Sequence, residues 1–204
     1  MKILRTFVLV AIAALVCGAA PVAAQTTGMT WAGSLYGGYA TIMESDNEPL
    51  PVPGGSFGVR GNVFAMLDPV LGVGAELGYH NFGSDDVQID LGELVDAELG
   101  YSAFQATAQG IARGTRGTVR PFGTLGLGLY SLRASLKTEF GDESESESKF
   151  GVNLGGGIQI KPSESGISFG LEARWHTVFD GWVNDDLEES ALDILTVMAG
   201  INFN

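Results

Sequence analysis

Cysteine is almost missing from this chain: 204 residues contain one, Cys17. It falls inside an N-terminal stretch that reads as a cleaved export signal, so the exported chain would have no disulfide and no thiol nucleophile. Histidine is scarce as well, with only His80 and His176, so there is no clustered cysteine–histidine metal site. Positive charge is sparse, at 11 Lys and Arg against 24 Asp and Glu. Without Lys2 and Arg5 the balance is 9 against 24, a formal charge of −15, and that sign argues against a nucleic-acid partner. Beyond the N-terminus no apolar run reaches the roughly 18 residues of a membrane helix. No phosphate-cradling glycine loop or nucleotide fingerprint is present, and no cofactor is implied.

The N-terminus has the three parts of a signal peptide. Lys2 and Arg5 are basic, residues 7–20 are apolar, and Val22-Ala23-Ala24 offers small residues before Gln25. The apolar part, about 14 residues, is short for a membrane anchor. Val16 precedes Cys17 where a lipoprotein signal needs a small residue. The expected organisation is a signal peptide over 1–24 and one domain over 25–204.

What is abundant is glycine, 30 residues, and alternation of period two. Residues 167–179 show it best: Ile167, Phe169, Leu171, Ala173 and Trp175 are apolar, while Ser168, Gly170, Glu172, Arg174 and His176 are small or polar. Such a segment is a strand whose two faces meet different surroundings. Comparable segments lie at about 30–40, 56–66, 70–82, 99–112, 119–134, 150–161 and 191–203. No segment is left over to cover their apolar faces. The expected fold is all-β, an eight-stranded antiparallel up-and-down transmembrane barrel, apolar outside and polar inside. Inward glycines would make room for large neighbours in so narrow a lumen. A soluble lipocalin-like barrel needs the opposite polarity.

The connections alternate. Three are short, at 67–69, 114–118 and 162–166; four are long, at 41–55, 83–98, 135–149 and 180–190. All long loops therefore fall on one rim, the pattern of outer-membrane barrels. Of the 24 acidic residues, 19 lie in the long connections. The run at 142–147 (D-E-S-E-S-E) reads as a low-complexity loop, while Arg113, Arg116, Arg120 and Lys161 gather at the short-turn rim. Residues 87–99 alternate in the opposite phase to their surroundings. That leaves open a bulge, strands three and four running above the membrane, or a short amphipathic helix over 91–99. Tyr39, Phe57, Tyr79, Phe82, Tyr101, Trp175 and Phe179 are expected as one interfacial girdle. Trp31, Phe64, Phe122 and Phe203 would form the other.

Two motifs resemble a known family. Residues 119–128, V-R-P-F-G-T-L-G-L-G, are similar to the start of strand five in small outer-membrane barrels: the OmpA transmembrane domain, OmpX, OmpW and opacity-type proteins. Residues 197–203, V-M-A-G-I-N-F, resemble their C-terminal assembly signal, carried here by Val197, Ile201 and Phe203, although Asn204 follows the aromatic residue. The resemblance implies a monomer in the outer membrane, inserted by the assembly machinery, with lipid and lipopolysaccharide around it. Its long loops would be extracellular and both termini periplasmic. It is specific for architecture and says little about activity.

Inside the barrel, Arg60, Glu76, Glu172 and Arg174 point inward near mid-strand. If Met66 paired with Val70, Arg60 would face Glu76 directly. Pairing is expected because an unpartnered buried charge is costly. The bland role is a structural plug; the sharper one, which the OmpA-like resemblance allows, is a gate over a narrow ion path. OmpW-like relatives imply a channel for ions or small apolar solutes. Small barrels also include lipid A deacylases and palmitoyltransferases, but His176-Thr177-Val178 lacks the deacylase His-x-Ser pattern, and His80 with Ser84 and Asp85 has no specific spacing. The acidic residues of 180–189 do not match a helix–loop–helix calcium loop. The expected function is therefore non-enzymatic: membrane integrity, or adhesion to a surface ligand through acidic loops.

Overall fold

Alternation is most complete in β7 (Ile167–Phe179), where each odd residue from Ile167 to Trp175 is exposed and each even one from Ser168 to His176 is buried. The other strands are β1 (Thr30–Met43), β2 (Phe57–Met66), β3 (Leu71–Asp90), β4 (Leu94–Arg113), β5 (Val119–Thr138), β6 (Gly141–Ile160) and β8 (Ala191–Phe203). The computed structural model describes residues 29–43, 56–90, 94–138, 141–162, 166–179 and 191–203. Every strand pairs antiparallel with its sequence neighbours, and β1 pairs with β8, so the sheet closes into an eight-stranded barrel. Closure matters in lipid because an open edge would leave backbone groups without partners. Leu35, Leu125, Leu127, Leu129 and Leu154 are each more than half exposed on the outer wall. On a soluble protein such a belt would be an interaction surface; around a closed barrel it is the lipid-facing wall.

The first turn sets the register. Backbone N–H groups of Leu67 and Asp68 donate to the Leu71 carbonyl, at 2.9 and 3.3 Å. The Asp68 carboxylate in turn accepts from the Val70 and Leu71 amides, both at 2.7 Å, an Asx-type turn. These amides hold its pKa below the ordinary carboxylate range. The turn therefore takes in Val70, and Met66 pairs with Gly72. This corrects the expected register by two residues: Gly78 lies opposite Arg60, and Asn62 lies opposite Glu76.

Two expected loops are largely strand. β3 and β4 pair out to Asp90 and Leu94, and β5 and β6 out to Thr138 and Gly141. A bulge in β3 between Asn81 and Ser84 contains Gly83 at φ 87°, a value that favours glycine. The bulge adds one residue to β3 only, so the face on which odd-numbered residues lie changes along β3 beyond it, while β4 pairs with β5 without a break. Both the bulge and the extension are therefore real, and a helix over 94–99 is not formed. The acidic run at 142–147 belongs to β6 and pairs with β5, rather than forming a loop. Each of these four strands has 20 residues, about twice what a tilted membrane strand needs. β2 pairs with β3 only as far as Phe57–Asn81, and β6 with β7 as far as Gly151–Val178. A four-stranded sheet thus rises beyond the ring on one side. The long connections at 44–55 and 180–190 lie outside the described residues.

The girdles also need correction. Tyr39, Phe57, Tyr79, Trp175 and Phe203 do face outward, but Phe82, Phe64 and Phe122 are buried. Each has the inward parity of its strand at that point, so its ring fills the lumen.

Candidate functional site

The lumen is layered. At the loop end Ala40, Phe82, Ala103, Tyr130, Val178 and Ile194 form one apolar cluster. At the turn end Phe64, Met66, Ile111 and Phe122 form another. Between them lie the four charges, from strands β2, β3 and β7. Arg174 Nη1 reaches Glu76 Oε1 and its Nε reaches Glu172 Oε1, both at 2.6 Å. Arg60 Nε lies 3.1 Å from Glu76 Oε2, and its Nη2 lies 2.9 Å from Glu172 Oε2. Each cation meets both acids and each acid meets both cations, in a closed neutral ring. All four side chains are at least 97% buried.

The two arginines are held differently. Arg174 donates aligned hydrogen bonds to both carboxylates. The N–H groups of Arg60 are not aligned with the oxygens, so charge holds it, together with the face of Tyr36, whose centroid lies 5.0 Å from the guanidinium carbon. Removing such charges from water is costly, and only close opposite charge and further hydrogen bonds repay it. Glu76 accepts from Gln105 Nε2 at 2.8 Å, and Asn153 Oδ1 accepts from Gln109 Nε2 at 3.1 Å. Asn153 Nδ2 donates to Tyr130 Oη, which meets His176 Nδ1 at 3.1 Å. His80 packs edge-on to His176 with centroids 5.6 Å apart, and its Nε2 lies 3.3 Å from Gln105 Oε1.

Glycine makes the ring fit. A Cβ on Gly170 would collide with the Tyr36 hydroxyl, and one on Gly155 would lie 3.0 Å from Arg174 Cγ. A cavity of about 20 Å³, lined in part by Tyr36, Thr124, Gln159 and Asn202, separates the ring from the lower apolar cluster. It has room for roughly one water molecule.

His80 and Ser84 do not form a relay. The His80 ring is turned to Gln105, while the Ser84 hydroxyl donates to Glu98 beyond the bulge. The amides and tyrosines that wire the ring, and the rings that cap it, were not singled out from sequence as one assembly. Their shared signal is inward parity: Phe64 and Met66 follow Arg60 and Asn62 at steps of two. Val197, Ile201 and Phe203 lie outward on β8, each roughly two-fifths exposed. Among the described residues no group of three acidic, histidine or cysteine side chains could hold a metal ion.

A closed eight-stranded barrel with an apolar outer wall is the architecture of a known family. The family model described as the outer membrane protein beta-barrel domain matches residues 9–203. The chain belongs to that family. It is an outer-membrane protein. Among solved structures it is similar to Neisserial surface protein A, at 15% identity and a TM-score of 0.58, over 85% of this chain and 96% of that one. It is also similar to a major outer membrane protein of Thermus thermophilus, at 12% identity and a TM-score of 0.53, over 85% and 99%. A third is Ail, the attachment invasion locus protein of Yersinia pestis, in complex with the heparin analogue sucrose octasulfate. There identity is 20% and the TM-score 0.50, over 86% and 100%. At these identities the likeness is one of fold. No curated protein matches the sequence.

Proposed function

We propose that this barrel is a non-enzymatic, non-conducting monomer that supports the outer membrane and meets its surroundings through the acidic loop rim. Residues 1–24 act as its cleaved export signal. The turn rim faces the periplasm, and Val197, Ile201 and Phe203 present the assembly signal. The carrying observation is the lumen: a neutral ring of four buried charges between two apolar clusters. An ion crossing it would have to strip its water and separate pairs 2.6–3.1 Å apart. The raised β3–β6 sheet supports the surface-facing half of the reading, since it lifts an acidic strand clear of the ring. The reading is tested by single-channel recording of the refolded chain in planar bilayers. The expected trace is flat. Stable ohmic steps that change in Glu76→Gln would replace it with a second reading, a narrow gated channel. That reading draws support from the closed ring itself, in which either arginine can release one acid and keep the other. For the enzymatic question, lipid A mass spectra on overexpression are expected to stay unchanged.

A further inference from the structure

The sheet that rises beyond the ring has two unlike faces. Strand pairing places Asp85, Leu99, Leu136 and Glu143 in one row across β3, β4, β5 and β6. The next rows toward the ring on the same face read Tyr101, Ala134, Glu145 and then Ala103, Leu132, Glu147. This face continues the lumen wall, since Tyr101 and Leu132 pack against the loop-end apolar cluster. Above the ring it is an apolar floor on β4 and β5, with Asp85 on one flank and three glutamates on the other. Leu99, Tyr101, Leu132 and Leu136 are half-buried, and the glutamates are exposed. Two cations of the raised sheet, Arg133 and Lys137, stand on the opposite face, where Arg133 Nη2 donates to the Ser144 hydroxyl and Lys137 pairs with Glu98. The third, Lys149, lies at the foot of the floor and meets Glu147 at 3.1 Å. Glu143 and Glu145 stand farther out along β6.

We infer that this face docks a basic amphipathic helix of another polypeptide. Its apolar stripe would lie on Leu99, Leu132 and Leu136, and its Lys or Arg side chains along the glutamate row. A helix settles on a sheet by burying an apolar stripe against an apolar face. The acid flanks on β3 and β6 are three strand spacings apart, roughly 14 Å, which admits one helix of about 10–12 Å diameter. From Leu132 to Thr138 the face rises about 20 Å, the length of about 13 helical residues. Charge decides the occupant. A lipid chain would cover the floor but leave the acids unanswered. The chain's own connections at 44–55 and 180–190 are poorer occupants, with eight acids and no Lys or Arg. A second copy would bring the same acidic rim against this one. The inference rests on the surface-facing half of the function proposed above and is independent of the closed lumen.

The test is surface plasmon resonance of the folded chain in phosphatidylcholine nanodiscs, with empty discs in the reference channel. The probe is a leucine–lysine peptide of about 14 residues with its leucines on one helical face; a twin carries glutamate for lysine. Wild type is expected to bind the lysine peptide above the empty-disc signal and to ignore the twin. Glu143→Ser with Glu145→Ser should weaken the lysine peptide about fivefold, the scale of two solvent-screened ion pairs. High salt should erase that difference. Leu99→Ser with Leu136→Ser should also weaken it, by removing the floor, and a gel band that shifts on boiling checks that this variant folds. A signal equal to empty discs overturns the inference. So does an affinity that survives loss of both glutamates, or equal binding of the two peptides, the marks of a purely apolar occupant. Binding in discs with no gain on intact cells that express the chain supports the docking face and overturns the surface-facing reading.

Discussion

Glutamate stands in two parts of this barrel with opposite consequences. Glu76 and Glu172 lie in the lumen, buried, each between two guanidinium groups. Glu143, Glu145 and Glu147 lie on β6 above the ring, exposed, opposite Leu136, Ala134 and Leu132. In the lumen, geometry decides everything, because the low-dielectric surroundings magnify both attraction and the cost of a missing partner. On β6 water and salt screen the same group, so three acids can line one strand, of which Glu147 has a counter-charge in Lys149, whose Nζ lies 3.1 Å from its carboxylate. There their use is negative: a row of charge on a raised strand discourages pairing with another chain. A side chain's charge says little until its solvent is known.

The largest way to break this contrast is to remove one partner from the ring. Glu76→Gln leaves Arg60 and Arg174 sharing one carboxylate and should cost about 3–5 kcal/mol in reversible urea unfolding from lipid. A loss under about 1 kcal/mol would mean the ring is hydrated and its charges are screened as those of β6 are. Next is packing. Gly170→Ala drives a methyl into the Tyr36 hydroxyl and should cost about 1–3 kcal/mol, whereas Gly110→Ala on the outer wall should stay within about 0.5 kcal/mol. If the two behave alike, inward and outward faces have been misassigned.

A smaller effect sharpens the comparison through pH. Glu98, in the raised sheet, accepts from the Ser84 hydroxyl and pairs with Lys137 at 3.2 Å. The hydroxyl first, then the ammonium, holds its pKa below the ordinary carboxylate range. A depressed folded-state pKa stabilises above the unfolded value, about 4.3, and that contribution fades as pH falls through the lower folded one. Hydrogen exchange at residues 94–100 and 133–138, corrected for intrinsic rate, should therefore speed up only below about pH 4. Acceleration already at pH 6 would point to another group. Smallest of all, Glu143→Ser, Glu145→Ser and Glu147→Ser should each change stability by less than about 0.5 kcal/mol. A larger loss in any one would mean that the raised strand depends on a specific acid contact.

Much of this molecule could be read from its residues. Period-two alternation marked all eight strands, and parity placed Arg60, Glu76, Glu172 and Arg174 inward, because side-chain direction in a strand is a local property. The order of short turns and acid-rich segments likewise implied one turn rim and one loop rim. Other features depended on tertiary structure. The two-residue shift that sets Asn62 against Glu76 comes from turn hydrogen bonds around Asp68, and the phase change in β3 from a bulge at Gly83. The inward parity of Phe64 and Phe122 was already present in the alternation of β2 and β5, whereas the height to which β3–β6 rise was not. The meeting of residues as distant as Glu76 and Arg174 is decided by the stagger of the closed barrel. Alternation determines which way a side chain points, but only closure of the sheet determines what it meets.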